Sequence, residues 1–252
     1  MLTNILHKIV AKPNMNYMIN GIIYTIPKDL LFTDKQYMLA QYKLNRLYRL
    51  LKYITKIFKQ NNIKYVAICG TLLSALRHNA LMPWDDDIDL AYNLIDHEKI
   101  KLLINKFNKV GYTLYECTPG FVIQDMKYKN ICADLFSISK INNIYKYSAP
   151  IIDNIPTFQT SELFPKEYFE IYEFQNLTTG KICDINIPIF KNSIEILKRC
   201  YDDNVMLEVR GVASTRVHIL RKLQFIIPLM ELYLPNNINK QIATIINNIA
   251  NY

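Results

Sequence analysis

The chain has 252 residues, 50% hydrophobic and 21% charged, which excludes a disordered or fibrous protein and allows one large domain or two small ones. A formal net charge of +8 points to a phosphate-bearing partner, unless the excess is only a lysine-rich solvated surface. The richest apolar stretch, 225–234, is interrupted by Pro228 and Glu231, and the first residues carry no apolar leader, so the expectations are no membrane span and a cytoplasmic location.

Residues 1–32 read as an irregular N-terminal extension with a short strand near 21–26. A helix is predicted from Thr33, which forms a capping box with Gln36. Leu47, Leu50, Leu51, Ile54, Ile57 and Phe58 give it an apolar stripe at helical spacing. Its basic residues, Lys43 to Lys59, fall mostly on the opposite face, where solvation explains them as well as nucleic acid does. After Asn61-Asn62, residues 65–69 form a buried strand, Gly70 turns the chain and 71–78 make a short helix. Residues 85–92 form a second strand. Helix 96–109 follows, with Ile100, Leu103, Ile104 and Phe107 inward, and then strands at 112–117, 121–128 and 131–138. Beyond residue 154 prolines punctuate the chain, and helices are expected at 194–201, 212–227 and 237–251. The division is an extension, 1–32, a catalytic core, 33–150, and a mixed then largely helical portion, 151–252, packed on it. The fold class is α+β.

Five cysteines, Cys69, Cys117, Cys132, Cys183 and Cys200, form no C-x-x-C pair. They read as small buried hydrophobes in a reducing compartment.

The chemistry concentrates in residues 83–92, PWDDDIDLAY. On a strand Asp85, Asp87 and Asp89 share one face, while Ile88 and Leu90 face a core. Three like charges at that spacing repel unless a cation lies among them, and carboxylate oxygens suit Mg²⁺ or Mn²⁺. The calcium loop of an EF-hand is rejected, because its sixth and twelfth positions would be Leu90 and Asp96 in place of Gly and Glu. The embedding apolar residues argue against an acidic surface turn. Upstream, Gly70-Thr71 places a turn where backbone N–H groups and the Thr71 hydroxyl can meet a phosphate. A Gly-Thr turn followed by Asp-x-Asp on the next strand is the nucleotidyltransferase arrangement.

The stretch GTLLSALRHNALMPWDDDIDLAY, Gly70 to Tyr92, resembles the motif of the LicD and fukutin-related phosphotransferase family. The match includes Gly70, Thr71, Ala75, Arg77, Pro83, Trp84, Asp85, Asp86, Asp87, Ile88 and Asp89; Ser74 and Tyr92 depart from it. Ala133-Asp134-Leu135-Phe136, Leu163-Phe164-Pro165 and Leu197 to Asp203 resemble later family segments more loosely. The resemblance implies a nucleotidyltransferase-like core, a mixed sheet flanked by helices. It also implies transfer of an alcohol phosphate, such as phosphocholine or ribitol phosphate, from a cytidine diphosphate carrier to a glycan hydroxyl. Asp87 and Asp89 would be metal ligands, Asp85 a third ligand or an orienting group, and Asp134 a further ligand or the general base. Arg77 could clamp a phosphate or pair with the acidic strand. Trp84 could stack on a base or plug the core. Asp125 reads as a surface acid. The competing functions are nucleotidyl transfer from a nucleoside triphosphate and metal-independent binding of nucleic acid or acidic glycan; the acidic strand disfavours the latter.

Overall fold

The computed structural model describes residues 9–117, 120–148 and 166–210. The first element is a hairpin, β1 Asn16–Ile19 and β2 Ile22–Thr25. Its turn is Asn20-Gly21, both at positive φ, the backbone that a two-residue hairpin loop demands. The expected strand near 21–26 is therefore present, but with a partner in the segment read as irregular.

Helix α1, Gln41–Gln60, is capped at Ala40 and begins seven residues later than the Thr33 cap predicts. The physical reason is a distant partner. Strand β3, Leu31–Phe32, pairs in parallel with β13, Glu208–Val209, and both the amide and the hydroxyl of Thr33 donate to the carbonyl of Val209. That pairing carries the chain along β13 as far as Thr33, so no helix opens there. The stripe itself holds: Leu47, Leu50, Leu51, Ile54, Ile57 and Phe58 are all buried.

A mixed sheet carries the rest of the core. Strands β4, Tyr65–Ala67, and β5, Asp87–Asn93, run antiparallel; β5 and β8, Cys132–Ile141, run parallel. The other flank of β8 holds β7, Gly120–Asp125, with β6, Tyr112–Cys117, beyond it. Further along β8 that flank takes β9, Ile144–Tyr147, followed by β10, Tyr168–Glu170. Gly120 is required by close approach: a Cβ there would overlap the Leu135 carbonyl oxygen of the neighbouring strand. On one face Leu90, Leu135, Ile123 and Leu114 are buried, and α1 packs across β5 and β8 on that side. The other face is half-open and carries the acids.

The helix predicted over 96–109 is three short pieces: a 3₁₀ turn Leu94–Asp96, α3 His97–Lys101 and α4 Ile104–Asn108. The break shifts the helical phase, so Ile100, Leu103 and Phe107 are buried as expected and Ile104 is exposed. In the later portion α5, Ile171–Gln175, leads to a hairpin, β11 Leu177–Ile182 and β12 Ile185–Phe190, which packs on β4. Helix α6, Ser193–Cys200, matches the helix expected at 194–201. The helices expected at 212–227 and 237–251 lie outside the described residues.

Candidate active site

The site begins where β4 ends. Cys69 takes a left-handed backbone, φ +47°, and starts α2, Cys69–Leu73, which continues through a π-helical turn, Ser74–His78, to a left-handed Asn79. The strained turn residue is thus Cys69. Gly70 serves differently: a Cβ there would collide with the Asp85 carboxylate. Thr71 is 1% exposed, and its hydroxyl oxygen accepts the Asp89 amide at 2.8 Å. It sets the position of the acidic strand as an acceptor, which leaves the hydroxyl hydrogen to donate.

Asp87 and Asp89 lie on β5, side by side on the half-open face; Asp85 precedes the strand. The parallel register puts Asp134 directly opposite Asp89. Carboxylate oxygens of Asp87, Asp89 and Asp134 lie within 4.8 Å of one another, and those of Asp85, Asp86 and Asp87 form a second such group sharing Asp87. Asp87 and Asp89 are both buried. At that separation two charges repel by about 3 kcal/mol at an effective dielectric of 20. Oxygen-only donors at this density suit a hard divalent cation, so the residues fit Mg²⁺ or Mn²⁺ without selecting between them.

Arg77 points elsewhere. Its Nη1 donates to the carbonyls of Val205 and Glu208, each at 3.0 Å, and Nη2 contacts the Met82 sulfur. Burial lowers its pKa to about 10, against the opposing pull of Asp85. The guanidinium fastens the 205–208 segment through Nη1 and feels the acidic strand, while its buried Nε–H has no hydrogen-bond partner. Trp84 packs edge-on against Phe32 and His78, a core plug. Asp125, read as a surface acid, is 1% exposed: Arg46 holds it at 2.6 Å, and the amides of Lys127 and Tyr128 donate to its other oxygen. All five cysteines are free thiols, half-buried where full burial was expected.

His78 is 8% exposed with neither ring nitrogen hydrogen-bonded. Burial, and secondarily the Arg77 charge, pushes its pKa down to about 3. The fold therefore holds it neutral, while the unfolded chain titrates it near 6.5. That contribution is complete above about pH 6.5 and is lost as pH falls toward 3. Urea melts at pH 7 and 4.5 are expected to show wild type losing about 2–3 kcal/mol more than His78→Phe between the two values. Parallel losses in both proteins would contradict this.

One cluster had no signal in the sequence. Glu167 accepts the Tyr147 hydroxyl at 2.7 Å and lies 3.8 Å from the Cys69 sulfur. Burial raises the Glu167 pKa, and its two hydrogen bonds only partly offset this. With Ile68, Leu72 and Tyr201 these side chains line a small pocket beside the turn that precedes the acids. Burial, then Cys69, Glu167, Asp89 and Asp85, holds the Tyr201 hydroxyl well above the usual tyrosine range.

A family model described as LicD/FKTN/FKRP, nucleotidyltransferase domain, matches residues 62–192, just over half of the chain. The protein is a member of this LicD family. The matched span contains every element of the acidic site and its β8 partner. Similar proteins include Rickettsia prowazekii (strain Madrid E) "Uncharacterized protein RP689", 28% identical over 170 residues, and Rickettsia typhi (strain ATCC VR-144 / Wilmington) "Uncharacterized protein RT0683", 30% identical over 145 residues. The alignments cover 67% and 57% of the LicD-family chain but only 59% and 44% of those two proteins. Among solved structures, the lincomycin-bound lincosamide antibiotic adenylyltransferase LnuA is similar at a TM-score of 0.40 and 14% identity, covering 63% of this chain and 94% of that one. The ANT(2")-Ia complex with adenylyl-2"-tobramycin gives 0.37 and 11%, covering 71% and 94%. No helix among the described residues is long and apolar enough to cross a membrane.

Proposed function

We propose that the protein is a metal-dependent phosphotransferase that moves an alcohol-phosphate group from a cytidine-diphosphate-activated donor to a sugar hydroxyl. The observation that carries this reading is the convergence of Asp87, Asp89 and Asp134 on the half-open sheet face, beside the Gly70 turn. Asp87 and Asp89, with Asp85 as a further ligand, would hold Mg²⁺ or Mn²⁺. When bound, such an ion neutralises charge on the transferring phosphate. Because the Asp85 carboxylate packs on Gly70, an anion can approach that turn only with a cation present.

The chain's own residues do the rest. Thr71 fixes Asp89 through its amide, so the acids stand on a rigid strand. Asp134, one strand over, accepts the proton of the acceptor hydroxyl at a carboxylate oxygen. The acceptor oxygen then forms its bond to phosphorus, the bond to the nucleoside monophosphate breaks, and that nucleotide leaves.

Product analysis tests the reading. With Mn²⁺ and CDP-choline or CDP-ribitol, release of cytidine monophosphate is expected. Pyrophosphate released from a nucleoside triphosphate would favour nucleotidyl transfer at the same acids. Absence of both products across donors, with Mn²⁺ demonstrably bound, would remove the phosphotransferase assignment. Binding of nucleic acid or acidic glycan without metal would have to overcome the acidic face and would weaken steeply with salt.

A further inference from the structure

The acids do not end the functional row on this sheet face. Residues directly opposite one another on paired strands share a face. Asp89 stands opposite Asp134, Asp134 opposite Val122 and Val122 opposite Tyr115. The row thus runs Asp89, Asp134, Val122, Tyr115 across β5, β8, β7 and β6. Burial agrees with the register: the neighbouring Leu114, Phe121, Ile123, Ala133 and Leu135 turn to the other face and are buried, whereas Val122 is half-buried and Tyr115 is 41% exposed. Burial, then the nearby Cys117, Cys132 and Asp134, holds the Tyr115 hydroxyl above its ordinary pKa, which places that hydroxyl on the acidic side of the sheet. With strands spaced about 4.8 Å apart, Tyr115 stands roughly 10 Å from Asp134, across the short side chain of Val122.

Direction decides what this stretch of the sheet face takes. Gly70 and β4 flank β5 on one side, and Asp134 flanks it on the other. In an in-line displacement the attacking oxygen enters opposite the departing group. A donor whose phosphates lie at the Gly70 turn leaves the β8 side for the acceptor, and the proton-accepting carboxylate stands on that side. The negative face of an exposed aromatic ring suits the slightly positive C–H face of a sugar, whose hydroxyls then point toward the acid. We propose that the sheet face between Asp134 and Tyr115 seats the acceptor's sugar ring, with Tyr115 as its platform. This rests on the phosphotransferase reading above.

Saturation-transfer NMR on the full chain tests it, using methyl glycosides of galactose, glucose and N-acetylgalactosamine as probes, cytidine monophosphate as a control, and water-proton relaxation to follow Mn²⁺. At least one glycoside is expected to receive saturation from wild type and from Tyr115→Phe. In Tyr115→Ala that transfer should fall about tenfold, with Mn²⁺ and cytidine monophosphate binding unchanged. The assignment is overturned if no glycoside binds wild type, or if transfer survives in Tyr115→Ala. It is equally overturned if Tyr115→Ala loses the cytosine signals, since the ring would then be a base platform. Failure of wild type to bind Mn²⁺ would remove the underlying phosphotransferase reading instead, so the two failures are distinguishable.

Discussion

Asp89→Asn is expected to lower turnover on the order of 10³-fold or more, a loss of about 4 kcal/mol of transition-state stabilisation, and Asp87→Asn to do the same. Each substitution keeps shape and removes one charge from a cluster whose oxygens lie within 4.8 Å. On adding Mn²⁺, wild type should gain thermal stability and the variants should gain little, because only the intact cluster binds an ion that the unfolded chain does not. Chelation of wild type should abolish both the gain and the activity. The measurements are thermal melts with and without Mn²⁺ beside the product assay. A variant that retains wild-type turnover, or an Mn²⁺ shift of equal size in all proteins, would refute the assignment of the ion to these residues.

The largest expected effect on stability lies far from the chemistry. Glu173 is 1% exposed and accepts both Nη1 and Nη2 of Arg199, at 3.2 and 3.1 Å. Arg199 also donates to the Tyr168 carbonyl and lies over the Tyr168 ring. Glu173 further accepts Asn192 and, as the closing half of a capping box, the Glu170 amide. Arg199→Ala leaves a buried carboxylate without its counter-charge, which costs about 3–5 kcal/mol. Because the expense lies in the stranded charge, the double variant Arg199→Met with Glu173→Met should recover most of the loss. Urea unfolding of the single and double variants decides it. A single variant within about 1 kcal/mol of wild type would show that the pair is solvated.

How far the site could be read from sequence depended on distance along the chain. The acids on β5 were legible because a period of two and a turn signal are local properties. Asp134 was legible through the family resemblance of Ala133-Asp134-Leu135-Phe136, although only the register shows it facing Asp89. The Asn20-Gly21 turn carried an equally local signal that pointed to β1. What failed was set by remote partners. Thr33 reads as a cap until the pairing of residues 31–32 with 208–209 carries the chain past it, and Asp125 reads as solvated until Arg46 reaches it. The Glu167 cluster needs β9, β10 and α2 assembled before it exists.

The closure of residues 31–33 on residues 205–209 has a temporal consequence. Thr33 and Val209 are separated by 176 positions, and Arg77, which follows the Gly70 turn, draws its partners from the same late segment. During synthesis the acidic strand and its neighbours emerge long before that segment does. The nascent protein must therefore wait, its Arg77 unanchored and β3 an uncovered edge, until the ribosome has delivered almost the whole described chain.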